Sequence, residues 1–175
     1  MKKFFALMLA LCLALCAVSA FAEGNTNEVK QIKWSDFEEK KPEGAMTVID
    51  EIGMELYIPQ ELIRRTVSEE AAAKGIKMVL SNKDETAVVN AQISPVTLDA
   101  FKAALANSGI NGITELEING LKCINFNVTN NNVLSTSFAF QTKDNNTVVF
   151  SFSPANVEPN TGLFRIMAAS IQAAE

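Results

Sequence analysis

The sequence contains no histidine. That removes Ser-His-Asp and Cys-His activation of a nucleophile, and with them the commonest transition-metal ligand. Cysteine is nearly as scarce, with three in the chain. Two of these, Cys12 and Cys16, lie in an apolar leader, so a chain that loses the leader keeps only Cys123 and forms no intramolecular disulfide. A chain of this length can bury an adequate core without one. Basic residues are outnumbered, 15 Lys and Arg against 20 Asp and Glu. Such a chain does not grip nucleic acid or anionic lipid through its overall field. The doublets Lys40-Lys41 and Arg64-Arg65 are too sparse for a local nucleic-acid patch. The glycines are scattered, so no phosphate-cradling loop is present. No repeat recurs at the periods of solenoids or propellers.

What is present begins with a secretory signal. Lys2 and Lys3 precede an apolar run from Phe4 to Val18, too short to span a bilayer comfortably. Ala20 and Ala22 then supply the small residues that a signal peptidase reads, which predicts a signal peptide over residues 1–22 and cleavage before Glu23. The alternatives are an uncleaved anchor and a lipoprotein. Against the second, Leu11 and Leu15 precede the two leader cysteines where lipidation requires a small residue. The short Lys-Lys start looks bacterial. Cleavage leaves 13 Lys and Arg against 20 Asp and Glu, a net charge of −7. The expected location is secreted or extracytoplasmic, in the cell envelope or beyond, with no membrane contact in the mature form. Residues 23–33 are polar and read as a flexible tether. Residues 34–175 read as a single α+β domain.

The most informative stretch runs from Ile113 to Phe152. Apolar-alternating runs are separated there by Asn119-Gly120, Asn130-Asn131-Asn132 and Asp144-Asn145-Asn146, which predicts a four-stranded antiparallel meander. Even-numbered positions carry most of the apolar weight: Leu116 and Ile118; Ile124, Phe126 and Val128; Leu134, Phe138 and Phe140; Val148, Phe150 and Phe152. Residues opposite one another in a hairpin share a face. Pairing even with even then requires three odd-length loops, or a bulge with the same effect. On this reading the odd-numbered Glu115, Glu117, Cys123, Asn125 and Asn127 form an outer face.

Further strands are expected over Met46–Ile49, Met54–Ile58, Ile76–Leu80 and Thr86–Ile93. Pro59 ends the second of these, and Gln60 to Ile63 read as a helical turn. Ser68 and Gly75 bracket a short helix. A clearer helix spans Leu98–Asn107, capped by Ser94 or Thr97 and stopped by Gly109, with Leu98, Phe101 and Leu105 forming one apolar stripe. A last helix is expected from Thr161 to Gln172, with Leu163, Ile166, Met167, Ser170 and Ile171 facing the core.

Candidate chemistry is thin. Cys123 stands alone and has no base beside it in sequence. The acid pairs Glu38-Glu39, Asp50-Glu51, Glu69-Glu70, Asp84-Glu85 and Glu115 with Glu117 read as solvated surface, because a glycosidase needs acids facing each other across a cleft. Asp144-Asn145-Asn146 reads as a turn before it reads as a calcium loop. Trp34 reads as a packing residue before a stacking platform. Asn127-Val128-Thr129 and Asn145-Asn146-Thr147 match the glycosylation sequon, which matters only in a host route that glycosylates. No catalytic, metal or cofactor-binding residue is assigned, and no cofactor is expected.

Three segments together carry a resemblance. Gly53–Pro59 (GMELYIP) with its following Leu-bearing turn, Glu117–Cys123 (EINGLKC), and the closing pattern Phe164, Ile166, Ser170 and Ile171 resemble the PsbP-like fold over most of Trp34 to Ala174. The resemblance implies a single antiparallel sheet of about six to eight strands between helices, an α/β/α sandwich. It also implies a non-enzymatic domain that docks to a larger protein partner, here unidentified. No functional residue is carried over, and nothing points to photosynthesis. Two other classes stay open: a self-associating structural protein of the envelope, and a hydrolase built only on carboxylates, Lys or Tyr57.

Overall fold

The computed structural model describes residues 29–174. The signal segment, its cleavage site and the first part of the expected tether lie outside the described residues. The strands are β1 (Lys30–Ile32), β2 (Gly44–Ile49), β3 (Met54–Pro59), β4 (Ile63–Arg64), β5 (Ile76–Ser81), β6 (Val88–Ser94), β7 (Thr114–Ile118), β8 (Leu121–Asn130), β9 (Val133–Gln141), β10 (Thr147–Ser153) and β11 (Gln172–Ala173). The helices are α1 (Glu69–Ala73), α2 (Leu98–Asn107) and α3 (Asn160–Ala169). Ser68 caps α1 by accepting the Ala71 N–H at 3.2 Å. Thr97, rather than Ser94, caps α2 by accepting the Ala100 N–H at 3.3 Å. Both caps satisfy a donor that the first helical turn leaves without a partner.

The α+β class holds, but the single antiparallel sheet does not. An eight-stranded sheet runs β1-β7-β8-β9-β10-β6-β5-β4, and a separate three-stranded sheet runs β11-β3-β2. The larger sheet is mixed, because β1 lies parallel to β7. Alternation reports that a strand face is buried, not which sheet the strand joins. Lys30–Ile32 thus narrows the expected tether: its last residues are a strand, and the Asn119 N–H donates to the Ile32 carbonyl at 3.0 Å. Two local expectations also change. Gln60 to Ile63 holds one turn, closed by the Leu62 N–H on the Pro59 carbonyl at 3.0 Å, and Ile63 then enters β4. The last helix stops at Ala169, and its deepest large residues are Phe164 and Met167 rather than Ile166.

The meander is present as β7 to β10, but its register is not the expected one. In β7–β8, Glu115 lies opposite Ile124 and Leu116 opposite Cys123. In β8–β9, Phe126 lies opposite Ser137. Both hairpins close with two-residue turns. Asn119 and Gly120 have φ of 49° and 80°, and Asn131 and Asn132 have φ of 48° and 64°. Two successive left-handed residues define the type I′ turn, whose twist matches the strands it joins. Only the loop from Thr142 to Asn146 is odd, and there Val148 does pair with Phe140. The even positions therefore split. Those of β7, β9 and β10 face one side of the sheet, and those of β8 face the other. Both sides are buried, so apolar weight alone did not mark a face.

One side holds the main core. Leu116, Ile118, Cys123, Phe140, Phe150 and Phe152 pack there against Phe164 and Met167 of α3 and against Leu56 and Met54 of β3. Phe140 and Phe150 meet edge-to-face at 6.1 Å. Each fully buried ring contributes about 2 kcal/mol of transfer free energy. The other side carries a smaller core, Ile124, Phe126, Ala139 and Val149, under the α2 stripe of Leu98, Phe101 and Leu105. Gln141 ties this helix to β9, its Oε1 accepting the Leu98 N–H at 2.9 Å.

Candidate functional site

The side of the large sheet that α2 covers is not covered throughout. Ser151 lies opposite Asn90, Ser153 opposite Val88 and Val79 opposite Asn90, so Val79, Val88, Asn90 and Ser153 share the face that Val149 turns towards α2. The α1 helix spans only Glu69–Ala73, a rod of about 8 Å. Its buried Ala71 sits over β5. Beside α1 a cavity of about 490 Å³ opens over this face of β5 and β6. Its floor is Val79, Val88 and Asn90, its flanks are Val67, Ala71 and Val133, and Pro154 and Val157 of the loop into α3 close one end. Asp84, Glu85 and Thr86 of the β5–β6 turn stand at the rim.

The walls are mainly apolar, with a few hydroxyl and amide groups set among them. Ser81 and Ser153 are buried wall residues. Arg65 braces one wall, donating from Nε to Ser81 Oγ at 2.7 Å and from Nη2 to the Asn82 carbonyl at 2.9 Å. The guanidinium is thereby engaged as a brace. A concave apolar pocket of this size with a few polar groups is suited to taking an apolar side chain or small ligand. The lining contains neither cysteine nor lysine.

The residues singled out from sequence fall elsewhere, with one exception. Asp84-Glu85 reaches the cavity rim. Cys123 lies in the main core, not on an outer face, and burial pushes its thiol up to about 12. The register explains the correction: opposite Leu116, Cys123 turns inward with it. Glu115 turns towards α2 and forms an ion pair with Lys102, whose ammonium holds the carboxyl below its ordinary range. Trp34 packs against Tyr57, with ring centroids 5.5 Å apart, and Lys41 Nζ lies 5.6 Å from the indole centroid. The Tyr57 hydroxyl donates to the Pro42 carbonyl, and burial, helped by Glu43, raises it. Among the described residues, no group of three or more His, Cys, Asp or Glu is placed to hold a metal. No helix among them is long and apolar enough to cross a membrane.

The cavity itself was missed, although a signal existed. Met78-Val79-Leu80 is a continuous apolar run, as is Ala87-Val88-Val89. Such runs mark strands buried on both faces. Met78, Leu80 and Val89 enter the main core, while Val79 and Val88 line the cavity.

No family model matches the chain, and no curated protein matches it. Solved structures do match. The cyanobacterial PsbP protein CyanoP from Synechocystis sp. PCC 6803 superposes with a TM-score of 0.54 at 14% identity, over 74% of this chain and 91% of its own. A protein from Bacteroides thetaiotaomicron VPI-5482 superposes with a TM-score of 0.51 at 15% identity, over 75% of this chain. The match covers 49% of that protein, about half its length. Likeness at such identity is likeness of fold, and the fold is PsbP-like, as the Gly53–Pro59 and Glu117–Cys123 segments led one to expect.

Proposed function

We propose that this PsbP-like domain is a non-catalytic binding module, exported by its leader, that docks to a protein partner through the cavity beside α1. The observation that carries the reading is the cavity: about 490 Å³, apolar-walled, and braced at one wall by Arg65. A partner's apolar side chain entering it exchanges water contact on both surfaces for burial, at about 25 cal/mol per Å². Ser153 and Ser81 add directional contacts, which fix orientation rather than supply most of the affinity.

The test places a photo-crosslinking side chain at Val157, an exposed residue at the cavity end, and irradiates the protein in its native envelope or medium. One specific adduct is expected. Val88→Trp fills the cavity floor from a half-buried position and is expected to abolish the adduct while the domain stays folded. An adduct that forms equally well with Val88→Trp removes the cavity as the docking element.

A further inference from the structure

A second surface stands apart from the cavity. The β2 strand ends the three-stranded sheet, so among the described residues its outer edge has no strand beside it. The ladder fixes which backbone groups point outward. The Tyr57 N–H donates to Ser170 Oγ at 2.8 Å, and Glu55 pairs with Gln172 of β11. Odd-numbered residues of β3 thus turn away from β2. The even-numbered Met54, Leu56 and Ile58 exchange hydrogen bonds with Ile49, Thr47 and Ala45. Gly44, Met46 and Val48 are left with N–H and C=O directed off the sheet. Exposed edges are usually blunted by charge, proline or a bulge. From Gly44 to Ile49 there is no charged residue and no proline, and the register with β3 is unbroken. Val48 is 47% exposed.

We propose that β2 pairs antiparallel with β2 of a second copy of this chain, about a two-fold axis at Met46. Met46 then faces Met46 of the second copy, and Gly44 faces its Val48. The fit has a local reason. A Cβ on Gly44 would collide with the Ile58 carbonyl oxygen and stand 2.6 Å from the Tyr57 hydroxyl, so this edge position stays glycine and offers an opposing strand bare backbone. Charge selects the orientation. Lys40-Lys41 precedes the strand and Asp50-Glu51 follows it. Antiparallel pairing sets the basic doublet of each copy beside the acidic doublet of the other, whereas parallel pairing sets like against like. Within one copy Lys41 already bonds Glu38 at 3.3 Å and Glu51 bonds Arg64 at 2.6 Å. Lys40 and Asp50 have no ion pair among the described residues, so they carry the complementarity, with Glu39 and Glu43 as the opposing charges. A foreign strand satisfies the same backbone groups, but only a second copy supplies this charge order at both ends of an isologous contact.

Sedimentation equilibrium of the purified protein tests the proposal. A dimer is expected at about 100 μM that dissociates on dilution, because a strand-edge contact buries less than a standard interface. Met46→Pro removes an N–H that the chain itself does not use, and proline is tolerated at such an edge position. It is expected to weaken the dimer about tenfold or more with an unchanged far-UV spectrum. Asp50→Lys weakens the dimer as well, and Lys40→Glu added to it restores the affinity. This swap keeps the test decisive if Met46→Pro misfolds. A chain that stays monomeric at about 100 μM overturns the second copy as occupant and leaves the edge to a foreign strand. A dimer indifferent to both Met46→Pro and the charge reversal places the contact elsewhere and also overturns it. Val88→Trp does not touch β2, so the dimer is expected to survive it whatever becomes of cavity docking.

Discussion

Replacing Asn119 by alanine tests how the β7–β8 turn anchors distant parts of the chain. The Asn119 side chain accepts the Trp34 N–H through Oδ1 at 2.7 Å. Its Nδ2 donates to the carbonyls of Ala169 and Ile171, each at 2.9 Å. One amide thus joins the turn to the Trp34 segment and to the exit of α3. Three such bonds at about 1 kcal/mol net apiece amount to about 3 kcal/mol. Alanine must also hold φ of 49°, which adds about 1 kcal/mol. The expected loss for Asn119→Ala is therefore about 4 kcal/mol, or a fall in Tm of roughly 10 °C for a domain of this size. Asn119→Gly loses the same bonds and keeps the left-handed backbone without strain, so its loss is about 3 kcal/mol. Urea unfolding followed by far-UV circular dichroism supplies the free energies, with an unchanged m-value as the check on two-state behaviour. The sole tryptophan is Trp34, so its fluorescence reports separately whether that segment has loosened. A loss below about 1 kcal/mol for Asn119→Ala, or a glycine variant less stable than the alanine one, refutes the reasoning.

Three more outcomes follow from the same geometry. Cys123 is expected to resist alkylation in the native protein at pH 8 and to react on unfolding. With its thiol raised to about 12 against an ordinary value near 9, its contribution to stability is intact below pH 9 and is lost as pH rises towards 12, which alkaline unfolding curves of the wild type and Cys123→Ser will show by their difference. Lys102→Met should return the Glu115 carboxyl to its ordinary range, read by NMR titration. The stabilisation this pair supplies is present above that range and is lost as pH falls through the lowered value; both groups are exposed, so it should stay under about 1 kcal/mol. Asn132→Gly gives the β8–β9 turn the sequence that type I′ geometry favours, and should raise stability by about 0.5 kcal/mol in the same urea assay.

Periodicity and turn chemistry in the sequence determined the elements. Asn and Gly clusters placed the hairpins because those residues tolerate left-handed backbone. Ser94 or Thr97, the Leu98, Phe101 and Leu105 stripe and Gly109 bounded α2 because capping and amphipathicity are local; the structure chose Thr97. The absence of histidine narrowed the chemistry before any coordinate was needed. Tertiary structure alone decided the rest. It set the register, because a sheet buried on both sides makes Phe126 and Phe138 equally apolar while they face opposite ways. It turned Cys123 inward, since only its pairing with Leu116 says which way that position points. It split the strands into two sheets, because the alternation of β2 and β3 is the same whichever sheet they join. It also opened the cavity beside α1, which exists where a five-residue helix is too short to cover β6. That gap is a property of what packs beside the strand: the Ala87-Val88-Val89 run marks β6 as apolar on both faces but does not say that one face lacks a covering helix.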